Sequence, residues 1–237
     1  MSDGWDESAE AWIADMGDEG DFGRQFVLDS PMLARVSAGR FADALDVGCG
    51  EGRFCRMLQS IGIGTIGIDP TEALLDAARA RDPGGDYRLA TAETMDIPPG
   101  SIDLVVSYLS LIDIPDIATA IARMVAAMRP GGTLLVANLT SFNTASPPTG
   151  WTTDAAGEKR FYIDDYMTER ATWVGWRGIR IRNWHRPLGT YMSLFLLHGL
   201  ILRHFAEPVP TTGDPARIAM YRRVPYFHIM EWQRPPA

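Results

Sequence analysis

No uninterrupted apolar run in this 237-residue chain approaches membrane-spanning length, so no membrane-spanning role is expected. Cysteine is scarce. The two present, Cys49 and Cys55, form no C-x-x-C pair, and none of the four histidines stands four residues from another, so neither a disulfide framework nor a metal site is expected. Positive charge is short as well: 22 Lys and Arg against 30 Asp and Glu leave a net charge of −8, which argues against a nucleic-acid partner. The start, Met1-Ser2-Asp3-Gly4-Trp5-Asp6, lacks the basic and then apolar segments of a secretion signal, so a cytoplasmic location is expected. No internal repeat or low-complexity tract is present.

What the chain does contain is a hydrophobic fraction of 46%, enough for one good core. From Phe41 onward apolar strands, turns and helices alternate in the βαβ manner of a parallel sheet covered on both faces. Strands are expected near 43–47, 64–68, 86–90, 102–107 and 132–138, with two more near 201–205 and 225–232. Helices are expected after Gly52, after Pro70, and from about Pro115 to Met128, the last ended by Arg129-Pro130-Gly131-Gly132. Ahead of the sheet, Trp5, Ala9, Trp12 and Ile13 recur at helical spacing, as in an amphipathic lid or a helix packed on the core. A second helix is expected to start with Ser30 as N-cap and Pro31 at its first position. The organisation that follows is one domain over 1–237: a helical cap at 1–40, a core at 41–138, an insertion at 139–190, and a terminal helix with strands at 191–237. The insertion is rich in tryptophan, is interrupted by Pro147-Pro148, and holds a hairpin turning at Arg177-Gly178.

The most informative stretch is Asp46-Val47-Gly48-Cys49-Gly50-Glu51-Gly52. Alternate glycines placed where a strand becomes a helix open the main chain to a ligand, and the helix N-terminus offers unpaired N–H groups. A dinucleotide fingerprint would need a third glycine where Arg53 stands, which weakens a pyrophosphate reading. Asp46 would repel a phosphate but suits a ligand carrying an ammonium or sulfonium. Asp69, 23 residues on, stands where an acid takes both hydroxyls of a ribose; Asp69-Pro70-Thr71-Glu72 also reads as a helix start needing no ligand. Ala92 and Glu93 follow the third strand. Ser107, Tyr108 and Asp113 close the fourth, at the sheet edge where open α/β folds bind ligands.

In order and content these segments resemble the class I S-adenosylmethionine-dependent methyltransferases, particularly the broad methyltransferase type 11 group. The likeness covers about 41–138. It implies a Rossmann-like α/β fold, a mostly parallel seven-stranded sheet with helices on both faces and an antiparallel last strand, carrying the helical cap and a substrate-side insertion. It also implies S-adenosyl-L-methionine as cofactor, with the loop of Asp46, Gly48, Cys49 and Gly50 around the methionine part. Asp69 and Pro70 then lie at the ribose, Ala92 and Glu93 at the adenine, and Ser107 and Tyr108 at the sulfonium. The family often has an aspartate where Thr91 stands. The activity implied is methyl transfer to a small molecule, to oxygen or nitrogen, with a silent cofactor-binding subunit as the alternative; a homodimer is one assembly open to it.

Two residues are candidates for a general base. His185, at the end of the predicted hairpin, titrates near neutral pH or else is a satisfied structural histidine. Asp113 is a base or substrate anchor, or else part of the helix start Asp113-Ile114-Pro115. Tyr108 offers a π face to a sulfonium or plain packing. Arg24 reaches a carboxylate or lies in solvent, and Trp151, Trp173, Trp176 and Trp184 line a pocket or belong to the core.

Overall fold

The computed structural model describes residues 3–146 and 150–236; the Pro147-Pro148 interruption lies outside them. Seven strands form the main sheet: β1 (Asp43–Val47), β2 (Gly64–Asp69), β3 (Asp86–Leu89), β4 (Ile102–Tyr108), β5 (Met128–Leu139), β10 (Ile201–Ala206) and β11 (Phe227–Gln233). Their order is β10-β11-β5-β4-β1-β2-β3. Pairing is parallel from β3 to β5, and β11 runs antiparallel to both β5 and β10. The chain reverses its direction of travel across the sheet beside β1. Ligands of open α/β sheets settle outside the carboxyl ends at such a point.

Helix α5 (Ile117–Ala127) shows how pattern becomes packing. Ile117, Ala120, Ile121, Met124 and Val125 fall on one stripe at helical spacing and are buried. Asp116 caps it, accepting hydrogen bonds from the Thr119 N–H at 3.1 Å and the Thr119 hydroxyl at 2.7 Å. Asp113 is therefore not the helix cap that Asp113-Ile114-Pro115 suggested. With α7 (Leu188–Leu197), α5 covers one face of the sheet around Leu134, Val136 and Trp232. Helices α2 (Asp29–Ala38) and α3 (Arg53–Ser60) cover the other through Met32, Val36 and Leu58. Each fully buried aliphatic side chain here contributes roughly 1.5–3 kcal/mol of transfer free energy.

The N-terminal segment differs from expectation at one point. Helix runs without a break through a π-helical turn, Arg24–Leu28, into α2, and Leu28 ahead of α2 is itself helical. Ser30 is thus inside a helix rather than capping one.

Helix α1 (Trp5–Met16) is indeed amphipathic. Its Ala9, Trp12 and Met16 pack between Leu74 of α4 (Glu72–Arg81) and Ile179 and Ile181 of β9 (Ile179–His185). β9 pairs with β8 (Arg170–Trp176) as an antiparallel hairpin. Its turn is Arg177-Gly178 as expected, with φ of 46° and 85°, the positive values a two-residue hairpin demands. Helix and hairpin are joined by the Ser8 hydroxyl, which takes the Arg180 N–H at 2.9 Å, and by the Arg182 N–H bonded to the Asp3 carbonyl at 2.9 Å.

Candidate functional site

The carboxyl ends of β1, β2 and β4, with α1 and the β8–β9 hairpin above them, enclose a cavity of about 480 Å³. Its floor is the loop after β1. The Gly48 and Cys49 N–H groups both bond the Ile68 carbonyl, and the Gly50 N–H bonds Asp69 Oδ2 at 2.9 Å. The other Asp69 oxygen takes the Thr71 N–H at 2.9 Å. Thr71, not Asp69, precedes helix α4, and it makes no side-chain cap bond. The helix-start reading of Asp69 is thereby corrected: this carboxylate ties the β2–α4 turn to the glycine loop and borders the cavity.

The glycines have separate reasons to be glycine. At Gly48, φ is +76°, and a Cβ would come within 2.4 Å of Ser110 Cβ, so the requirement is close approach of the β4 end. At Gly50, φ is +54° and the Cβ direction is open, with nothing nearer than Trp12 Nε1 at 4.0 Å. Main chain is bare toward the cavity at that residue.

Asp46 is 1% exposed. Its Oδ2 accepts from the Cys55 thiol at 3.5 Å, and its Oδ1 is buried without a partner among the described residues. Burial, opposed by the Cys55 bond and reinforced by Asp69 and Glu51, pushes its pKa up to about 7; burial likewise pushes Asp69 up to about 6. An orphaned carboxylate oxygen beside a bare stretch of backbone fits a ligand with an ammonium group, and the neighbouring Asp69 fits hydroxyls. S-adenosylmethionine presents both.

Gly48, Cys49, Gly50, Asp46, Asp69, Pro70, Ala92, Glu93, Tyr108 and Asp113 all border this cavity, as does Thr91. Thr91 hydroxyl is shared with Thr94 at 2.9 Å. Tyr108 donates its hydroxyl to Asp29 at 2.8 Å, and the Arg24 guanidinium stands 5.8 Å from its ring centre. Arg24 is therefore not a solvent residue. It bonds Asp21 at 2.9 Å, lies 4.9 Å over Trp12, and borders the cavity.

Two expected site residues are elsewhere. Ser107 is wholly buried and bonds the Ser110 hydroxyl at 2.7 Å; Ser110, one turn on, is the serine at the cavity. His185 is 1% exposed and does not border the cavity, and both ring nitrogens are engaged, Nδ1 with the Thr144 hydroxyl and Nε2 with the Tyr166 carbonyl, each at 2.8 Å. A carbonyl only accepts, so Nε2 carries the proton and Nδ1 accepts from Thr144. Burial lowers its pKa below 6.5, which keeps the ring neutral. His185→Ala is expected to cost about 1–3 kcal/mol of folding stability by leaving these buried partners unpaired, while turnover at a permissive temperature is unchanged. Denaturant unfolding beside a rate assay checks both halves.

Sequence reasoning anticipated a helical cap and a covering insertion, but not the side-chain contacts that join them into a roof. Trp12 donates to Glu51 Oε2 at 3.3 Å, Trp176 packs edge-on against Trp12, and Asn183 donates to Asp113 Oδ1. The helical period of α1 was visible, but nothing in one chain signals that β9 sets Asn183 opposite β4. Of the tryptophans expected at a pocket, only Trp176 is there; Trp151, Trp173 and Trp184 instead carry Arg223, Arg180 and Arg186 on their ring faces.

Comparison with known proteins agrees with this geometry. Residues 45–136 match the methyltransferase domain family. A probable S-adenosylmethionine-dependent methyltransferase of Mycolicibacterium smegmatis is 31% identical over 54% of this chain and 49% of its own length. A ubiquinone biosynthesis O-methyltransferase of Bradyrhizobium is 32% identical over 49% of this chain and 46% of its own. The chain thus spans about half the length of the curated relatives it matches. The crystal structure of an S-adenosylmethionine-dependent methyltransferase from Mesorhizobium loti superposes with a TM-score of 0.74 at 28% identity, over 85% of this chain and 96% of that one. By sheet order, loop chemistry and these likenesses, residues 45–136 carry a methyltransferase domain, and the fold is similar to that of S-adenosylmethionine-dependent methyltransferases.

Proposed function

We propose that this chain transfers a methyl group from S-adenosylmethionine to the oxygen or nitrogen of a small molecule. The observation that carries the reading is the roofed cavity, in which an orphaned Asp46 oxygen and the bare Gly50 backbone meet an acid-lined space under α1 and β9. A roofed but half-open cleft of about 480 Å³ that must also hold the cofactor suits a compact acceptor. The relatives named as O-methyltransferases are in keeping with such chemistry.

When bound, the sulfonium supplies an electrophilic methyl. Asp46 holds the ammonium, Asp69 the ribose hydroxyls, and Thr91, Ala92 and Glu93 flank the base. Trp12, Trp176 and Tyr108 exclude water and present π faces to positive charge. Asp113 is the general base: half-buried, it keeps Oδ1 on Asn183 and Oδ2 open to the cavity. Burial, opposed by the Asn183 bond and reinforced by Asp3 and Asp69, raises its pKa well above that of a free aspartate and so strengthens it as a base.

Incubating the purified chain with S-adenosylmethionine and a panel of small phenols, carboxylic acids and amines tests the reading through release of the demethylated product. Turnover with any of them supports the enzyme. Cofactor binding with no turnover across the panel would instead favour a silent cofactor-binding subunit.

The buried acids also set a pH dependence. Asp46 is protonated in the free protein below about pH 7 and must ionise to hold an ammonium, so cofactor affinity should rise by up to about tenfold per pH unit toward 7 and level off above it. Folding stability runs the other way. Carboxyls raised above their unfolded values contribute fully below pH 3.8, and that contribution is lost as pH rises through about 6 to 7. Calorimetric titration across this range, with Asp46→Asn as the variant that flattens most of the rise, checks the sign.

A further inference from the structure

The sheet order divides the cavity. Asp69, Ala92 and Glu93 stand at and after the ends of β2 and β3 on one side of β1, where the nucleoside belongs; Tyr108 ends β4 on the other side and Ser110 and Asp113 follow it, with Asp113 bonded by Asn183 of β9 and near Asp3 ahead of α1. That second half is what the cofactor leaves for the acceptor, and its charges are uneven. Arg24 borders it but is neutralised by Asp21 at 2.9 Å, and Arg53 is held by both oxygens of Asp29. Asp113 Oδ2 and Asp3 face this half with no cation bonded to them among the described residues. The aromatic lining is a cluster of edge-to-face rings, with Trp5 and Trp12 at 4.9 Å and Trp12 and Trp176 at 6.3 Å between centres.

We propose that the acceptor is a small amine that enters as its ammonium and is held by Asp113 Oδ2. This rests on the reading of the cavity as a methyl-transfer site. A neutral hydroxyl gains little from a second carboxylate nearby, and an anionic acceptor is repelled by it. An ammonium offsets the burial of Asp113 and its repulsion from Asp3.

The same contact prepares the reaction. An ammonium has no lone pair to offer, so its proton passes along the hydrogen bond to Asp113 Oδ2. The freed nitrogen pair then forms the N–C bond to the methyl carbon as the C–S bond breaks, its electrons remaining on sulfur. Products are the methylated ammonium, a neutral thioether and a protonated Asp113, which returns its proton to solvent on release. Asn183 is a positioning residue: by donating to Oδ1 it turns Oδ2 toward the acceptor.

Three probes of matched shape test the charge preference: benzylamine, benzyl alcohol and benzoate, each titrated calorimetrically into protein saturated with the demethylated cofactor. Benzylamine should bind about tenfold or more tighter than the other two, and Asp113→Asn should erase the difference. With S-adenosylmethionine in place of its product, benzylamine should gain a methyl group detectable by mass. Equal or tighter binding of the alcohol or the benzoate, failure of benzylamine to bind, or a preference that survives Asp113→Asn would overturn the inference. The saturation step separates the two readings: if the demethylated cofactor itself does not bind, the cofactor site fails; if it binds and the probes do not discriminate, only the amine assignment fails.

Discussion

Asp113→Asn is expected to lower turnover by about 10²–10⁴-fold while leaving affinity for the demethylated cofactor essentially unchanged. The substitution keeps the shape of the side chain, and its amide oxygen continues to accept from Asn183. What disappears is the lone-pair oxygen open to the cavity. Asp113 lies beyond β4 and makes no hydrogen bond to Asp69 or to the glycine loop among the described residues, so the contacts that hold the cofactor stay in place. The loss should therefore fall on kcat and on the acid limb of the pH–rate profile. A fall in cofactor affinity with kcat retained would make Asp113 a structural residue.

The second large effect is expected at the glycine loop, where two neighbouring substitutions should fail in different ways. Gly50→Val should weaken cofactor binding by about a hundredfold or more in a protein that still folds, because the added carbons project into open cavity where ligand meets main chain. Its positive φ costs a β-branched residue about 1–3 kcal/mol, which a folded domain of this size can absorb. Gly48→Ala should do the reverse. Its Cβ meets Ser110 Cβ at 2.4 Å, so β1 and β4 must separate, and stability falls before binding can be measured. Thermal unfolding and calorimetry on both variants distinguish a ligand-facing glycine from one fixed by packing.

That contrast shows why the sequence was readable in some places and not in others. The five core strands and the hairpin at Arg177-Gly178 rest on local signals, namely apolar runs bounded by glycine and proline and a turn needing positive φ. Asp46 and Asp69 were legible because an acid at the end of a buried strand has few local uses. Asp69 still read equally well as a helix cap, since only its bond to the Gly50 N–H, 19 residues away, decides against that role. His185 lies away from the cavity for a related reason. Its partners Thr144 and Tyr166 come from elsewhere in the chain, and tertiary bonds of that kind leave no mark on spacing. The roof was half visible: the period of Trp5, Ala9 and Trp12 announced an amphipathic helix, but its neighbours, Leu74 and the Ile179–Ile181 strand, were not local to it.

The most direct test of the account is a crystal structure with the demethylated cofactor bound. The expected result has the ribose hydroxyls on Asp69, the amino group within hydrogen-bonding distance of Asp46, the methionine chain along Gly50, and sulfur facing the space before Asp113. A ligand bound outside this cavity, or bound within it with Asp46 and Asp69 both turned away, would contradict it.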